Sequence, residues 1–478
     1  MIQDLLLTAP FTFLSAMAII AMVVDALIKN SARITFLFSV ITLIVSGILA
    51  IATFGQHGIG FNGMVTGGGF ASYFDVLFSL GGLLTIFAAR SYLQREGIEH
   101  DEFYSLVLFA IGGMMLIGHS NNLLSLFIGI EIMSVVFYVL SGYMRSSVAS
   151  VEASLKYFLL GAFSTGFLVY GMALIYGATG SMDYNHIAMN ITRGSLPLES
   201  LLPIGIALMV IGLSFKAAAF PFHQWAPDVY QGAPTIVTAF MSTAGKAAAF
   251  AAFMPMIMVL MPAATAKLQM TFAVLSAATM LIGNISALAQ SNIKRMLAFS
   301  SVAHAGYLMM GLVAGSQSGY SGIMFYLTSY MFMQIGSFII VGLLERRGEE
   351  HLEISDYAGL SKKHPVLAAF MTIFMFSLAG IPPFAGFFGK YYLFTAAIDA
   401  GYLWLTIIAV LSSIISVYFY IGLIVKMYFN EPEKEMPDTE IGLSGMSLVI
   451  TIAGVIILGI MPSGILSIAN AIFGHSSH

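Results

Sequence analysis

No cysteine occurs in the 478 residues, which removes disulfides, thiolate metal ligands, iron–sulfur ligation and cysteine nucleophiles in one step. Charge is almost as scarce. Only 9% of the residues are Asp, Glu, Lys or Arg, and the net charge of −4 gives no sign of nucleic-acid binding. Phosphate-cradling and dinucleotide-binding glycine motifs are missing too, and the run Gly67, Gly68, Gly69 reads as a turn. The ten histidines show no metal-ligand spacing on a single helix. A resident cofactor is therefore not expected, and the chemistry is either transport or the work of a partner.

What the chain does have is apolar residues, at 59% of the total, with a mean hydropathy of +0.92. That composition belongs to an integral membrane protein. A helix needs about 20 apolar residues to cross roughly 30 Å of hydrocarbon. Fourteen such runs are legible, near 5–28, 34–54, 71–90, 103–119, 121–143, 157–177, 200–222, 233–261, 268–290, 296–314, 320–344, 364–398, 402–428 and 444–470. The fold class is thus an all-α polytopic membrane protein with about fourteen transmembrane helices. Run 364–398 is long enough to be two half-helices. The first run has no basic leader and is long enough to act as an uncleaved anchor.

If the runs alternate, 14 of the 19 Lys and Arg fall on one side, among them Lys156, Lys294, Arg347 and Lys434. Only Arg193 and Lys267 fall on the other, and Lys216, Lys246 and Lys390 lie within or beside runs. The asymmetry predicts that both termini lie outside the cytoplasm. The acidic stretch 430–442 reads as a solvated loop, with a docking surface as the alternative.

Ionisable residues inside the runs need a reason, because each Lys or Glu at a helix centre costs on the order of 3 kcal/mol on insertion scales. Glu131, Lys246, Lys390 and His304 occupy such positions, and Lys216 stands near the end of an uncharged run. Interhelical ion pairs or snorkelling side chains are the structural alternative to a functional role. Prolines mark the same places: Pro221 follows Lys216 by five residues, and Pro382 and Pro383 precede Lys390. Proline breaks the helical ladder, and broken backbone at membrane depth is tolerated only where protein or cavity water satisfies it. Two discontinuous helices beside buried charges fit an ion translocator. In such a site a carboxylate approaching a lysine favours the ammonium and its withdrawal favours proton release, so Glu131 and Lys216 are read as a switch.

The stretches SFKAAAFPFHQWAPDVYQGAPT, MSTAGKAAAF, GIEIMSVVFYVLSGY, SVEASLKYFLLGAFSTG, SNIKRMLAFSSVAHAGYL and GIPPFAGFFGKYYLF closely resemble the subunit N family of the respiratory NADH-quinone oxidoreductase, complex I. The resemblance covers nearly the whole chain. It implies a single membrane domain over 1–478 with an antiporter-like fold: three N-terminal helices (1–102), two inverted five-helix repeats (103–261 and 268–428) and a final helix (444–470). It implies a proton relay through Glu131, Lys216, Lys246, His304 and Lys390, with Lys156 and His223 as further members and Pro221, Pro382 and Pro383 at the helix breaks. It also implies a translocase subunit of a bacterial inner membrane, bound to other membrane-arm subunits and lipid, with FMN, iron–sulfur clusters and quinone held by partners. A subunit of a cation/proton antiporter or membrane-bound hydrogenase, or a scaffold that pumps nothing, are the alternatives.

Overall fold

In hydrocarbon every backbone N–H and C=O must be satisfied within the chain, so a sequence this apolar is driven to helix. The computed structural model describes residues 2–194, 196, 198–260, 266–346, 351–432 and 436–474. Arg347 and Lys434 lie outside the described residues, as does the side chain of Lys267.

The chain starts with α1 (Ile2–Leu7), α2 (Ala9–Leu27) and α3 (Ala32–Thr53), then a small antiparallel hairpin of β1 (Gly58–Gly60) and β2 (Val65–Gly67). There follow α4 (Gly69–Glu96), α5 (Glu102–His119), α6 (Leu123–Ser141), α7 (Val148–Thr179) and the short α8 (Tyr184–Thr192). Next come α9 (Leu201–Ala217), α10 (Trp225–Gly232), α11 (Thr235–Phe240) and α12 (Lys246–Leu260), the last two fused through a π-helical turn, Met241–Gly245. The second half holds α13 (Ala266–Leu288), α14 (Ile293–Ala314), α15 (Gln317–Leu344), a 3-10 turn (Ile354–Tyr357), α16 (Leu360–Lys363), α17 (Pro365–Ala379), α18 (Ala385–Asp399), α19 (Leu403–Phe429), α20 (Ser444–Ile460) and α21 (Ser463–Gly474).

Each of the fourteen apolar runs coincides with a helix or a consecutive pair of helices. Among the described residues eleven of them are long and apolar enough to cross a membrane, or twelve if α20 and α21, bent by 77° at Pro462, are one span. The other two runs, 200–222 and 364–398, are carried by interrupted helices. At 1.5 Å per residue the 17 residues of α9 reach only about 25 Å, short of the hydrocarbon thickness. Several basic residues of the Lys- and Arg-rich side are helical, among them Lys156, within α7, which begins nine residues before the apolar run, and Lys294, the second residue of α14, 2% exposed. The acidic stretch after α19 is tied to the opposite basic segment by Lys362–Glu431 (2.6 Å) and Lys363–Asp438 (2.8 Å). The Lys363 hydrogen bond holds the Asp438 carboxyl below its ordinary value.

Burial is graded from the centre outward. α14 and α15 are enclosed along their length and carry Ser300, Ser301, His304 and Gln334 inside the bundle. By contrast α2, α7 and α19 expose much of their surface, and the exposed side chains are apolar ones such as Ile19, Phe163, Ile414 and Tyr418. That is the arrangement expected of a bundle solvated by lipid, with its polar groups facing inward.

A backbone pattern recurs in the two halves. Leu123 N bonds Met182 O and Tyr184 N bonds Asn121 O (2.9 and 3.0 Å); Ile293 N bonds Leu352 O and Ile354 N bonds Ser291 O (2.8 and 2.7 Å). Every residue number is 170 higher in the second set, 123 becoming 293 and 182 becoming 352. Asn122 caps α6 and Asn292 caps α14 through their side chains. The same displacement relates two close approaches: a Cβ on Gly113 would stand 2.7 Å from Met133 N, and one on Gly283 would stand 2.5 Å from Ala303 N.

Those contacts are with backbone, which cannot turn aside. Gly283→Val should therefore force α13 and α14 apart, costing about 1–3 kcal/mol as overpacking does. The expected result is a lower thermal-aggregation midpoint of the purified assembly; an unchanged midpoint would show that the α13–α14 approach is not tight.

Candidate functional site

Two helix breaks position the site. α9 ends where Ala218 takes a left-handed conformation (φ 56°), and the Phe220–Pro221 peptide is cis. The backbone groups freed there find partners. Trp225 Nε1 donates to Phe215 O (3.0 Å), and Phe220 N donates to Thr279 Oγ1 (3.1 Å). α17 ends at Gly380 (φ 85°), and the chain turns through Ile381 and a cis Pro382–Pro383 peptide into α18. Here Lys390 itself satisfies the end of the helix, donating to Leu378 O and Ala379 O at 3.1 and 3.0 Å. Lys216 occupies the last turn of α9. Both lysines thus sit at helix C-termini, where the backbone dipole favours a cation.

Lys216, Lys246 and Lys390 are 8%, 2% and 4% exposed. Among the described residues none has a carboxylate oxygen within 4.0 Å, unlike the ion pairs at the surface. Each is bonded instead to a serine hydroxyl: Lys216 to Ser134 (2.8 Å), Lys246 to Ser301 (2.6 Å) and Lys390 to Ser413 (2.9 Å). Lys246 also donates to Ser301 O. A hydroxyl can accept from an ammonium, and by turning its proton away from a backbone carbonyl, as Ser134 from Ile130 O (2.6 Å), it can donate to a neutral amine. Aromatic rings complete the surroundings, with Tyr138, Tyr330 and Tyr307 centred 5.9, 5.3 and 4.8 Å from the three ammonium nitrogens.

α14 links two of the lysines. Ser300, Ser301, His304 and Tyr307 follow one another at helical spacing. His304 Nδ1 pairs with Tyr326 OH (2.5 Å) and Nε2 with Tyr420 OH (3.2 Å), and Tyr420 OH reaches Ser300 Oγ. One end of this row meets Lys246 through Ser301, and the other meets Lys390 through the Tyr307 ring. Just before Lys246 the helix widens into the π turn Met241–Gly245, a local distortion often found at functional sites.

The remaining residues singled out by sequence fall elsewhere. Glu131 is only half-buried; its Oε1 accepts from Thr165 Oγ1 at 2.8 Å, and no ion pair joins it to Lys216. It stands one helical turn from Ser134, the Lys216 partner, so the two are neighbours through that serine. His223 is buried beside the first break, next to the Phe220 ring (5.7 Å), and its Nδ1 has no partner among the described residues. Lys156 is not part of the buried row. It is paired with Glu152 (2.7 Å) and Asp228 (2.8 Å), and Asp228 also binds Arg295 (2.6 Å). Among the described residues no three His, Asp or Glu side chains converge as metal ligands.

The tyrosines and serines of the site were not found by sequence reasoning. Polar residues recur too often in membrane helices for spacing alone to single them out. Missed as well were two buried ionic pairs, His119 Nε2–Asp75 Oδ2 at 2.8 Å and Lys294–Glu345 at 3.8 Å.

Comparison with known proteins gives a consistent picture. Residues 120–416 match the family described as "NADH:quinone oxidoreductase/Mrp antiporter, TM". NADH-quinone oxidoreductase subunit N of Trichlorobacter lovleyi is 46% identical over 464 residues, covering 96% of this chain and 95% of that protein. A chain of respiratory complex I from Thermus thermophilus, solved with bound aureothin, is 32% identical with a TM-score of 0.84, covering 96% of this chain and 99% of the other. A chain of the Mrp complex from Dietzia superposes as well, with a TM-score of 0.85 over 97% and 96% of the two chains, but at 23% identity it shows the fold alone.

Removing the hydroxyl that holds Lys216 tests the geometry directly. Ser134→Ala should slow turnover of the assembled protein about ten-fold, the equivalent of one hydrogen bond to a charged group, while Ser134→Thr keeps most of it. Equal rates in the alanine variant and the native protein would remove the serine from the site.

Proposed function

The chain belongs to the NADH-quinone oxidoreductase subunit N family, and from that membership we propose that its buried lysines carry protons across the membrane while partner subunits move electrons from NADH to quinone. One observation carries the reading: among the described residues three buried lysines have no carboxylate oxygen within 4.0 Å, each rests on a serine hydroxyl, and two stand at helix breaks. A permanent structural cation would be better served by a fixed counter-charge. A group meant to gain and lose a proton is better served by a hydroxyl.

The relay runs from Glu131 through Lys216 and Lys246, along Ser301, His304 and the tyrosines of α14, to Lys390. Movement of Glu131 toward or away from Lys216 sets whether that lysine keeps its proton. Carrying one charge against 100 mV costs about 2.3 kcal/mol. A change of about two in a lysine pKa supplies a similar amount, about 2.7 kcal/mol. His223, beside the first break, belongs to the same wet region, and Lys156 acts at its edge through Asp228.

The architecture proposed is fourteen crossings, counting the interrupted spans α9–α10, α17–α18 and α20–α21, with two inverted five-helix repeats over 103–261 and 268–428. The backbone pattern displaced by 170 residues supports the repeat. An odd number of crossings within each repeat inverts the second relative to the first. Both termini lie outside the cytoplasm of a bacterial inner membrane, with the Lys- and Arg-rich end inside. Partners include neighbouring membrane-arm subunits. The half-buried Glu131 stands on a face of α6 that exposes Ile128, Ile132 and Val135, a place for a charge only if another subunit covers it. FMN, iron–sulfur clusters and quinone reside in other partners. A cation/proton antiporter or hydrogenase subunit would use the same lysines; the 46% identity to a subunit N, against 23% to the Mrp chain, favours the quinone-linked complex.

Lys246→Met in the assembled complex should lower proton pumping by at least ten-fold, as loss of a proton-transfer group does. Pumping at the native rate in closed vesicles would instead leave the row of buried groups a scaffold. Glu131→Ala should slow coupled quinone reduction, and an unchanged rate removes Glu131 from the switch. Because the chain has no cysteine, orientation can be read with single introduced ones. Glu199→Cys should react with an impermeant maleimide in intact cells and Ser146→Cys only after lysis; the reverse pattern would invert the topology.

A further inference from the structure

We infer that the cavity at the Lys- and Arg-rich end of the bundle is the mouth through which Lys246 is reloaded with protons, and that the Lys294–Glu345 pair is its loading site. The inference rests on the relay reading above and adds residues that reading does not use.

The cavity has a volume of about 410 Å³ and is enclosed by the ends of α4, α10 and α15, the α6–α7 loop and the start of α14. Exposed Gly97 and Ser146 form its rim. Its inner wall holds Lys294 and Glu345, whose side chains are 2% and 6% exposed. Their Nζ and Oε1 stand 3.8 Å apart, beyond hydrogen-bonding distance. Lys294 is held by Ala233 O (2.7 Å), and Glu345 Oε2 accepts from Thr235 Oγ1 (2.6 Å). Tyr92 and Tyr357 also face Glu345, and Glu96 and Arg346 line the same cavity.

Two polar lines lead from this pair to Lys246. Thr235, Thr238 and Ser242, all fully buried, precede Lys246 at helical spacing along the same continuous helix. On α14, Lys294 and Ser301 are seven residues apart, which puts them on one face about 10 Å apart along the axis, and Ser301 is the Lys246 partner. Gln334 of α15 lies between these levels, donating to Leu297 O at 3.4 Å. It is fully buried, and its Oε1 has no partner among the described residues. A buried amide oxygen without a donor is costly, and a bridging water is the group that satisfies it.

The step is balanced in protons alone. The Glu345 carboxylate takes a proton from cavity water and yields it, through waters bridging these hydroxyls and Gln334 Oε1, to the neutral amine of Lys246; bridging is required because Thr238 and Ser242 donate to Tyr230 O and Ala239 O and not to each other. Glu345 returns to carboxylate, and Lys294 keeps its charge throughout.

The test uses the whole complex in closed vesicles with the cavity side outward, driven by NADH. Glu345→Gln should slow pumping about ten-fold or more. Its rate should also fall in proportion to proton concentration as the outer pH is raised, where the native rate falls less. Glu345→Asp should restore most of the rate, which a purely structural role would not require. Lys246→Met is measured alongside: native pumping there overturns the relay reading itself. Loss of pumping in Lys246→Met, with native rate and pH profile in Glu345→Gln, keeps the relay and overturns the loading site. Should Glu345→Gln fail to assemble, Gln334→Leu carries the test; a several-fold slowing with the same pH signature supports the route, and a native rate overturns it.

Discussion

The constraint on which the structure depends is the burial of three amines with no carboxylate oxygen within 4.0 Å of any of them among the described residues. A buried ammonium needs oxygen atoms around it, and helices in hydrocarbon have none to spare because their carbonyls are engaged. The chain meets this need in two ways. It breaks helices so that carbonyls at their ends become available, as at Leu378 and Ala379 for Lys390, and it places one serine opposite each lysine. Both devices demand tight packing. A Cβ on Gly386 would lie 1.9 Å from Ser377 O, so only glycine lets α18 start so close to the end of α17.

The breaks and the central helix depend on each other. α14 packs against α10, α13, α15 and α18, which lets one helix present Ser301 to Lys246 and Tyr307 to Lys390. Its row of hydroxyls and imidazole is fully enclosed, and such a network is stable only if its members are bonded to one another. His304 illustrates this, since both ring nitrogens are occupied by tyrosine hydroxyls.

Much of this was legible in the sequence, for a physical reason. Ionisable residues inside apolar runs are conspicuous against so uniform a background, so Lys216, Lys246, Lys390 and His304 stood out, and the prolines beside them marked the breaks. The apolar runs located every described helix long and apolar enough to cross a membrane, although 200–222 and 364–398 are carried by interrupted helices. Glu131 also stood out, yet it is only partly buried, because burial depends on which helix face the neighbours occupy. Lys294 was read only as one of the basic residues on one side and Glu345 was not singled out, since both lie at run ends, where a charge is ordinarily solvated. The hydrogen-bond pattern displaced by 170 residues was invisible because it lies in backbone pairing at 121–123 and 182–184, and backbone pairing constrains side chains little. The 77° bend at Pro462 and the π turn before Lys246 left no pattern that periodicity could detect.

The most direct test of the central claim is to tag the chain, purify its assembly in mild detergent, return it to closed vesicles and measure proton movement on adding NADH and a quinone. The account requires flavin and iron–sulfur absorbance to co-elute with the chain and a proton gradient to form only while quinone is reduced. An assembly without redox centres that exchanges cations for protons with no response to NADH would contradict it.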